Sequence, residues 1–238
     1  MALKRGLTAV VTGASRGIGA GIASALAAGG ARVVMIARNE EALRDAASRT
    51  PSAIPLVCDV SDPASVERAA ERITKETGGA PEILVNNAGL FRVAPLASMA
   101  PGLFTETINT NLVGPFLFVS AFLAGMQKRG TGHVVTIGSI ADRQIFPENG
   151  AYSAAKFGLR ALHEVLRAEL RGSGVRATLI SPSAVDTPLW DAMSGGEADG
   201  RFPPRSGMLN TDAVVGAVMY ALSQPVTVNI DELRLSRS

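Results

Sequence analysis

Val10-Val11-Thr12-Gly13-Ala14-Ser15-Arg16-Gly17-Ile18-Gly19 is the stretch that decides the fold of this 238-residue chain. Leu7, Ala9, Val10 and Val11 form a short uncharged apolar run, as expected of a strand buried on both faces of a parallel sheet. Three glycines follow at once. Behind them Ile18, Ile22, Ala23, Leu26 and Ala27 recur at helical spacing, so the turn opens a helix whose free N–H groups point back at it. Such a turn suits a pyrophosphate, because missing side chains let the backbone approach closely and a helix N-terminus favours negative charge.

Working outward, strands and helices alternate. Gly29-Gly30 supplies a C-cap, Arg32 to Ala37 reads as a second strand, and a helix runs from Asn39 to about Arg49. Ile54 to Cys58 is a third strand, and Asp62-Pro63 places an N-cap and a first-turn proline before a helix reaching about Thr77. Ile83 to Val85 is a fourth strand, ended by the turn Asn86-Asn87-Ala88-Gly89. A long helical stretch from about Leu103 to Lys128 carries Gly114-Pro115, which predicts a bend. His133 to Ile137, Tyr152 to Arg171, Val175 to Ile180, Thr211 to Leu222 and Val226 to Ile230 complete the pattern as strand, helix, strand, helix and strand. Ser183 to Asn210 interrupts it with Gly, Pro, Ser and Asp, and a segment of that length is read as a substrate lid. The alternation predicts right-handed βαβ units, hence an α/β fold: a Rossmann-type doubly wound parallel sheet of about seven strands with helices on both faces. Ligands bind at the carboxyl ends of such strands, where Gly13, Arg38, Asp59, Asn86, Ser139 and Pro182 stand.

Residues 1–238 read as one domain, with 47% hydrophobic and 18% charged residues. The net charge of +2 gathers into no basic surface, which argues against a nucleic-acid partner. Cys58 alone supplies neither a disulfide nor a thiolate metal site. His133 and His163 lack second ligands at metal spacing and read as packing residues, so no metal is expected. Met1 to Gly6 is too short for a secretion signal and no apolar run reaches membrane-spanning length, so a cytoplasmic protein without a membrane partner is expected.

Tyr152 and Lys156 stand four residues apart on one face of a helix. A phenol is a poor acid or base at neutral pH, and an ammonium one turn away stabilises its anion. Ser139, ending the preceding strand, is placed to bind a carbonyl, and Asn111 in the bent helix is placed to hold a water near the lysine.

Taken together these residues resemble the short-chain dehydrogenase/reductase family, in its single-domain branch, over nearly the whole chain. Thr12 to Gly19 matches its cofactor motif, Asn86 to Gly89 its Asn-Asn-Ala-Gly motif, and Ser139, Tyr152 and Lys156 its catalytic triad. The resemblance implies that Tyr152 is the general acid and that Lys156 binds the nicotinamide ribose and lowers the tyrosine pKa. It further implies that Ser139 fixes the carbonyl and Asn111 supports a proton relay. Cofactor contacts are implied at Gly13, Ser15, Arg16, Ile18, Gly19, Arg38, Asn86, Ala88, Gly89, Tyr152, Lys156 and Pro182. Asp59 and Val60 would flank adenine, and Val185 and Thr187 would meet the carboxamide and phosphates. Where the family usually has Pro-Gly, this chain has Pro182-Ser183.

An acidic residue after the second strand would favour NAD, but Ala37-Arg38 stands there. Arg38 and Arg16 form a clamp for a 2′-phosphate, which points to NADP(H). Leu90, Phe91, Ile140, Ile145, Phe146 and Trp190 are the expected walls for an apolar small-molecule carbonyl or alcohol substrate, and Phe202 reads with Trp190 as a lid contact. The family's association through two long helices implies a homodimer or homotetramer. The expected activity is NADPH-dependent reduction of a ketone or aldehyde. Two alternatives stay open: oxidation of a 3-hydroxy acid or secondary alcohol, and a non-catalytic NADP(H)-binding regulator.

Overall fold

A computed structural model describes residues 6–193 and 202–238. The chain alternates as β1 (Thr8–Thr12), α1 (Gly17–Ala28), β2 (Arg32–Ala37), α2 (Glu40–Ser48), β3 (Ala53–Val57), α3 (Pro63–Thr77) and β4 (Ile83–Asn86). It continues with α4 (Pro101–Ile108), α5 (Gly114–Arg129), β5 (Gly132–Ile137), α6 (Gly150–Glu169), β6 (Val175–Pro182), α7 (Thr211–Leu222) and β7 (Glu232–Leu235). All seven strands are parallel, in the order β3-β2-β1-β4-β5-β6-β7.

Side chains of each strand alternate between two cores. Ala9, Val11, Val33 and Met35 pack with Ile22 and Leu26 of α1, Leu43 of α2 and Val214 and Val218 of α7. Val10, Val34, Ile36 and Leu84 pack on the opposite face with Ile73 of α3, Phe118, Phe122 and Met126 of α5 and Leu166 of α6. β1 is buried at every residue, which is why its sequence carries no polar alternation. The chain reverses direction across the sheet between β1 and β4, so a crevice opens above their carboxyl ends.

Three expectations are corrected. The seventh strand is Glu232–Leu235 and not Val226 to Ile230. Arg176 of β6 donates to the carbonyls of Gln224 and Val228, the Val228 N–H turns back to the Pro225 carbonyl at 2.8 Å, and the Asn229 side chain pairs with both backbone groups of Ala177. Those bonds hold the segment as a loop and leave Val226 and Val228 exposed. The irregularity expected at Gly114-Pro115 lies one turn earlier, as a π-helical segment over Asn109–Val113. Pro115 has no N–H for the carbonyl of Asn111, four residues before it, so the helix cannot keep α geometry there. The run Pro101–Arg129 is, contrary to expectation, long and apolar enough to cross a membrane by length and composition. Its apolar side chains Phe118, Phe122 and Met126 are instead buried against the sheet.

Of the segment read as a lid, residues 194–201 lie outside the described residues. Its base is closed by parallel pairing of Val185 with Leu209, and 3₁₀ turns occupy Pro188–Met193 and Arg205–Gly207. Arg205 joins the two turns by donating to Asp186, to Asp191 and to the Thr187 carbonyl.

Candidate active site

The carboxyl ends of β1, β2, β4, β5 and β6 line a cavity of about 910 Å³. At one end lies the glycine turn. Gly13 and Gly17 adopt positive φ of 66° and 57°, which a side chain would strain. Gly19 serves packing: a Cβ there would stand 2.3 Å from the Gly13 carbonyl oxygen and 2.5 Å from Asn87 Nδ2. Gly13, Ser15, Arg16 and Ile18 line the cavity, whereas Gly19 does not.

The start of α1 differs from the starts of α2, α3 and α7, which are capped by Asn39, Asp62 and Asn210. α1 has no side-chain cap, and its first turn opens on the cavity. Its unsatisfied N–H groups form a donor set for an anion. Beside it Ala37, Ala42, Cys58, Val60 and Ala88 give an apolar slot, and Arg16 and Arg38 line the same end. These residues fit a dinucleotide with a further phosphate near Arg38. Arg38 lies 4.0 Å from Asp59 and 3.9 Å from Glu106, exposed pairs too long and too solvated to immobilise it. Asp59 stands behind the lining. Its Oδ1 accepts from the N–H and hydroxyl of Ser61, so it braces its own turn.

The Asn-Asn-Ala-Gly turn divides its duties. Asn86 is buried and donates to the Pro115 carbonyl at 3.4 Å, away from the cavity. Asn87 reaches across to β1, donating from Nδ2 to the Thr12 and Gly13 carbonyls, and the N–H groups of Asn87 and Ala88 both donate to Thr12 Oγ1. Asn87, Ala88 and Gly89 line the cavity.

At the other end stand Ser139, Tyr152 and Lys156. Ser139 follows β5 in extended backbone and its Oγ accepts from the Ala141 N–H at 3.1 Å. Lys156 is buried, and its Nζ donates to the Ile137 carbonyl at 3.0 Å and lies 5.6 Å from the Tyr152 ring centroid. Burial lowers the lysine to about 8, against a smaller opposing pull from Asp142. Tyr152 keeps part of its surface open to the cavity, yet the protein around it pushes its hydroxyl up to about 12. A hydrogen bond to Ser139 opposes that rise and the charge of Asp142 adds to it. Desolvation is the largest of these influences on the tyrosine. Asn111 is fully buried and its side chain is spent on backbone: Nδ2 donates to the Leu90 and Thr107 carbonyls, and Oδ1 accepts from the Leu90 N–H.

Over Tyr152 lies an aromatic wall. The Phe91 ring meets Tyr152 edge-on at 4.9 Å and Trp190 at 5.1 Å, and Trp190 meets Phe202 at 5.4 Å. Trp190 Nε1 is fixed by the Val185 carbonyl at 2.9 Å. Phe91, Ile140, Phe146, Trp190, Pro182, Val185 and Thr187 all line the cavity. Leu90 and Ile145 do not: Leu90 is buried behind the turn by its backbone bonds to Asn111, and Ile145 is 74% exposed on the outer surface. Sequence reasoning passed over Thr110, Gln144 and Asn149, which also line the cavity. Thr110 Oγ1 and Asn149 Oδ1 are buried and have no hydrogen-bond partner among the described residues. Asn149 stands just before α6 and its side chain does not cap that helix. His133 and His163 sit away from the cavity, buried and bonded to Thr178 and Thr136.

Residues 7–198 match the protein family described as short chain dehydrogenase. The chain is 37% identical over 234 residues to glycine betaine reductase ATRR of Emericella nidulans, a match covering 96% of this chain but only 18% of that protein. It is 36% identical over 226 residues to D-threitol dehydrogenase of Mycolicibacterium smegmatis, covering 92% of this chain and 86% of the relative. A solved metagenomic short-chain oxidoreductase in complex with NADP is 31% identical, covers 98% of each chain and superposes with a TM-score of 0.84.

Proposed function

The chain belongs to the short-chain dehydrogenase/reductase family, and on that footing we propose that it is an NADPH-dependent oxidoreductase reducing a ketone or aldehyde to an alcohol. The observation that carries this reading is one cavity with an uncapped helix N-terminus at one end and Ser139, Tyr152 and Lys156 at the other. NADPH would be held by the α1 N-terminus, Val60 and Arg16 with Arg38, and would supply the hydride.

The residues' own part is proton transfer and orientation. A tyrosine hydroxyl held near 12 is protonated throughout the neutral range, which suits donation to a developing alkoxide. Ser139, already bonded to that hydroxyl, places the carbonyl oxygen within reach of the same proton. Lys156, near 8, is mostly an ammonium at pH 7 and stabilises the tyrosinate left behind. With its side chain engaged, Asn111 would serve the relay through its carbonyl, which Pro115 cannot satisfy.

Phe91, Trp190 and Phe202 support an apolar group beside the carbonyl. One relative is named a glycine betaine reductase, and the same rings suit a quaternary ammonium by cation–π attraction. The continuous sheet supports reading residues 1–238 as one catalytic domain. Exposed Phe116 of α5 and Phe157 and Val165 of α6 support self-association through those helices.

The test is NADPH consumption across ketones, aldehydes, 3-oxo esters and an ammonium aldehyde, with Tyr152→Phe as control and NADH compared with NADPH. Turnover lost in Tyr152→Phe and a preference for NADPH are expected. Unchanged turnover would remove Tyr152 from its role, and equal efficiency with NADH would remove the phosphate clamp. Faster turnover of secondary alcohols with NADP would favour the oxidative alternative.

A further inference from the structure

Trp190 and Phe202 reach the cavity from two separate pieces of chain. Around Trp190 the bonds are local: its N–H donates to the Thr187 carbonyl at 3.2 Å and its Nε1 to the Val185 carbonyl at 2.9 Å. The turn Arg205–Gly207 is fastened to the body of the fold. The Leu209 N–H donates to the Ala184 carbonyl at 2.9 Å, the Asp186 N–H donates to the Leu209 carbonyl at 2.8 Å, and Arg237, beyond β7, donates to the Ser206 carbonyl. Phe202 is joined to this turn by Pro203-Pro204, and Pro204 has φ −60° and ψ 151°, the stiff polyproline conformation. From the same turn the Arg205 side chain crosses to the other piece. Its Nη1 donates to Asp186 Oδ1 at 2.7 Å and to the Thr187 carbonyl at 2.8 Å, and its Nη2 donates at 2.6 Å to Asp191, the residue after Trp190.

Resting on the reading of this cavity as a carbonyl-reducing site, we propose that Arg205 is a positioning residue for substrate specificity: it holds the turn bearing Trp190 against the strut bearing Phe202, and so fixes the wall that selects carbonyl compounds with a bulky apolar group. Arg205 itself does not line the cavity and acts through those two rings, which meet at 5.4 Å. Its side chain is 33% exposed, and one ion pair so placed would contribute little. A guanidinium that engages two carboxylates and a carbonyl at once is a network, the case in which exposed charges do count. Only a planar fork spans those acceptors, since a lysine presents a single point charge. With the fork gone, the local bonds of Trp190 remain, but they tie it to its own turn and not to Phe202.

Arg205→Gln is tested in two ways, one of which needs no turnover. Trp190 is the only tryptophan in the chain, so acrylamide quenching of its fluorescence reports on the wall directly. Quenching is expected to be stronger in the variant than in the parent. With saturating NADPH, KM for an aryl ketone should rise about fivefold, equivalent to about 1 kcal/mol, while KM for a small aliphatic ketone stays nearly unchanged. The kcat should not fall, because no group at the reacting atoms is altered. Unchanged quenching would overturn the proposal, as would an equal rise in KM for both ketones, or a fall in kcat with KM unmoved. If Arg205→Gln does not fold, Asp191→Asn, which removes one arm of the network, decides by the same measurements and the same signs. Tyr152→Phe run alongside separates the two claims: turnover retained there condemns the catalytic reading while quenching still decides the place of Arg205, and turnover lost there with unmoved quenching in Arg205→Gln condemns only the role of Arg205.

Discussion

Acid should loosen the packing of α6, β5 and β6 through two buried histidines that stand away from the cavity. His163 of α6 bonds Thr136 of β5 through Nδ1 at 3.0 Å, and His133 of β5 bonds Thr178 of β6 through Nε2 at 2.8 Å. Each is 2% exposed, and the other ring nitrogen of each has no partner among the described residues. Burial therefore holds His133 down to about 3 and His163 down to about 4, from an ordinary value near 6.5. Between pH 6.5 and those values the unfolded chain binds more protons than the folded one, so stability falls as pH falls. From pH 7 to pH 5 linkage gives about 2 kcal/mol for each histidine and about 4 kcal/mol for the pair. The perturbation is His163→Asn with His133→Gln, because an Asn amide stands in for Nδ1 and a Gln amide for Nε2 without gaining a proton. Urea unfolding followed by far-ultraviolet circular dichroism, at one protein concentration and at both pH values, measures the loss. The double variant should lose about 4 kcal/mol less than the parent on acidification. Equal losses in the two proteins would refute the assignment of acid sensitivity to this buried pair.

Arg38→Ala should lower kcat/KM with NADPH about tenfold and leave NADH nearly unchanged, as expected for one partly solvated charge-assisted contact; parallel losses with both cofactors would show that Arg38 reads something other than the 2′-phosphate. Gly19→Ala should cost about 2 kcal/mol and about 6 °C in Tm, because its Cβ meets the Gly13 carbonyl, a backbone atom that cannot swing aside. Gly216→Ala in α7 is the matched control: no atom lies within 4 Å of its Cβ, so the helix should gain up to about 1 kcal/mol. Equal Tm changes in the two variants would contradict the packing argument.

Much of the fold was legible because it rests on local pattern. The apolar run of β1, the glycines behind it and the helical spacing from Ile18 to Ala27 specify a strand, a turn and a helix through backbone sterics and burial alone. Tyr152 and Lys156 needed only the helical repeat to share a face. Val226 to Ile230 misled for a physical reason. Alternating valines suit a strand, but Arg176 and Asn229, reaching across from or to β6, claim the hydrogen bonds, and the strand forms at Glu232–Leu235.

The sequence by itself determined the order of elements, the glycine turn that opens α1 and the placing of Tyr152 and Lys156 on one helix face, since each is written in residues close together in the chain. Only the tertiary structure decided what surrounds them. It turned the Asn111 side chain onto the backbone of Leu90 and Thr107, set Phe91, Trp190 and Phe202 over Tyr152, and put Ile145 on the outer surface. It also surrounded Tyr152 closely enough that burial pushes its hydroxyl up. Desolvation and the charge of Asp142 are properties of packing between distant segments, and no spacing along the chain encodes them.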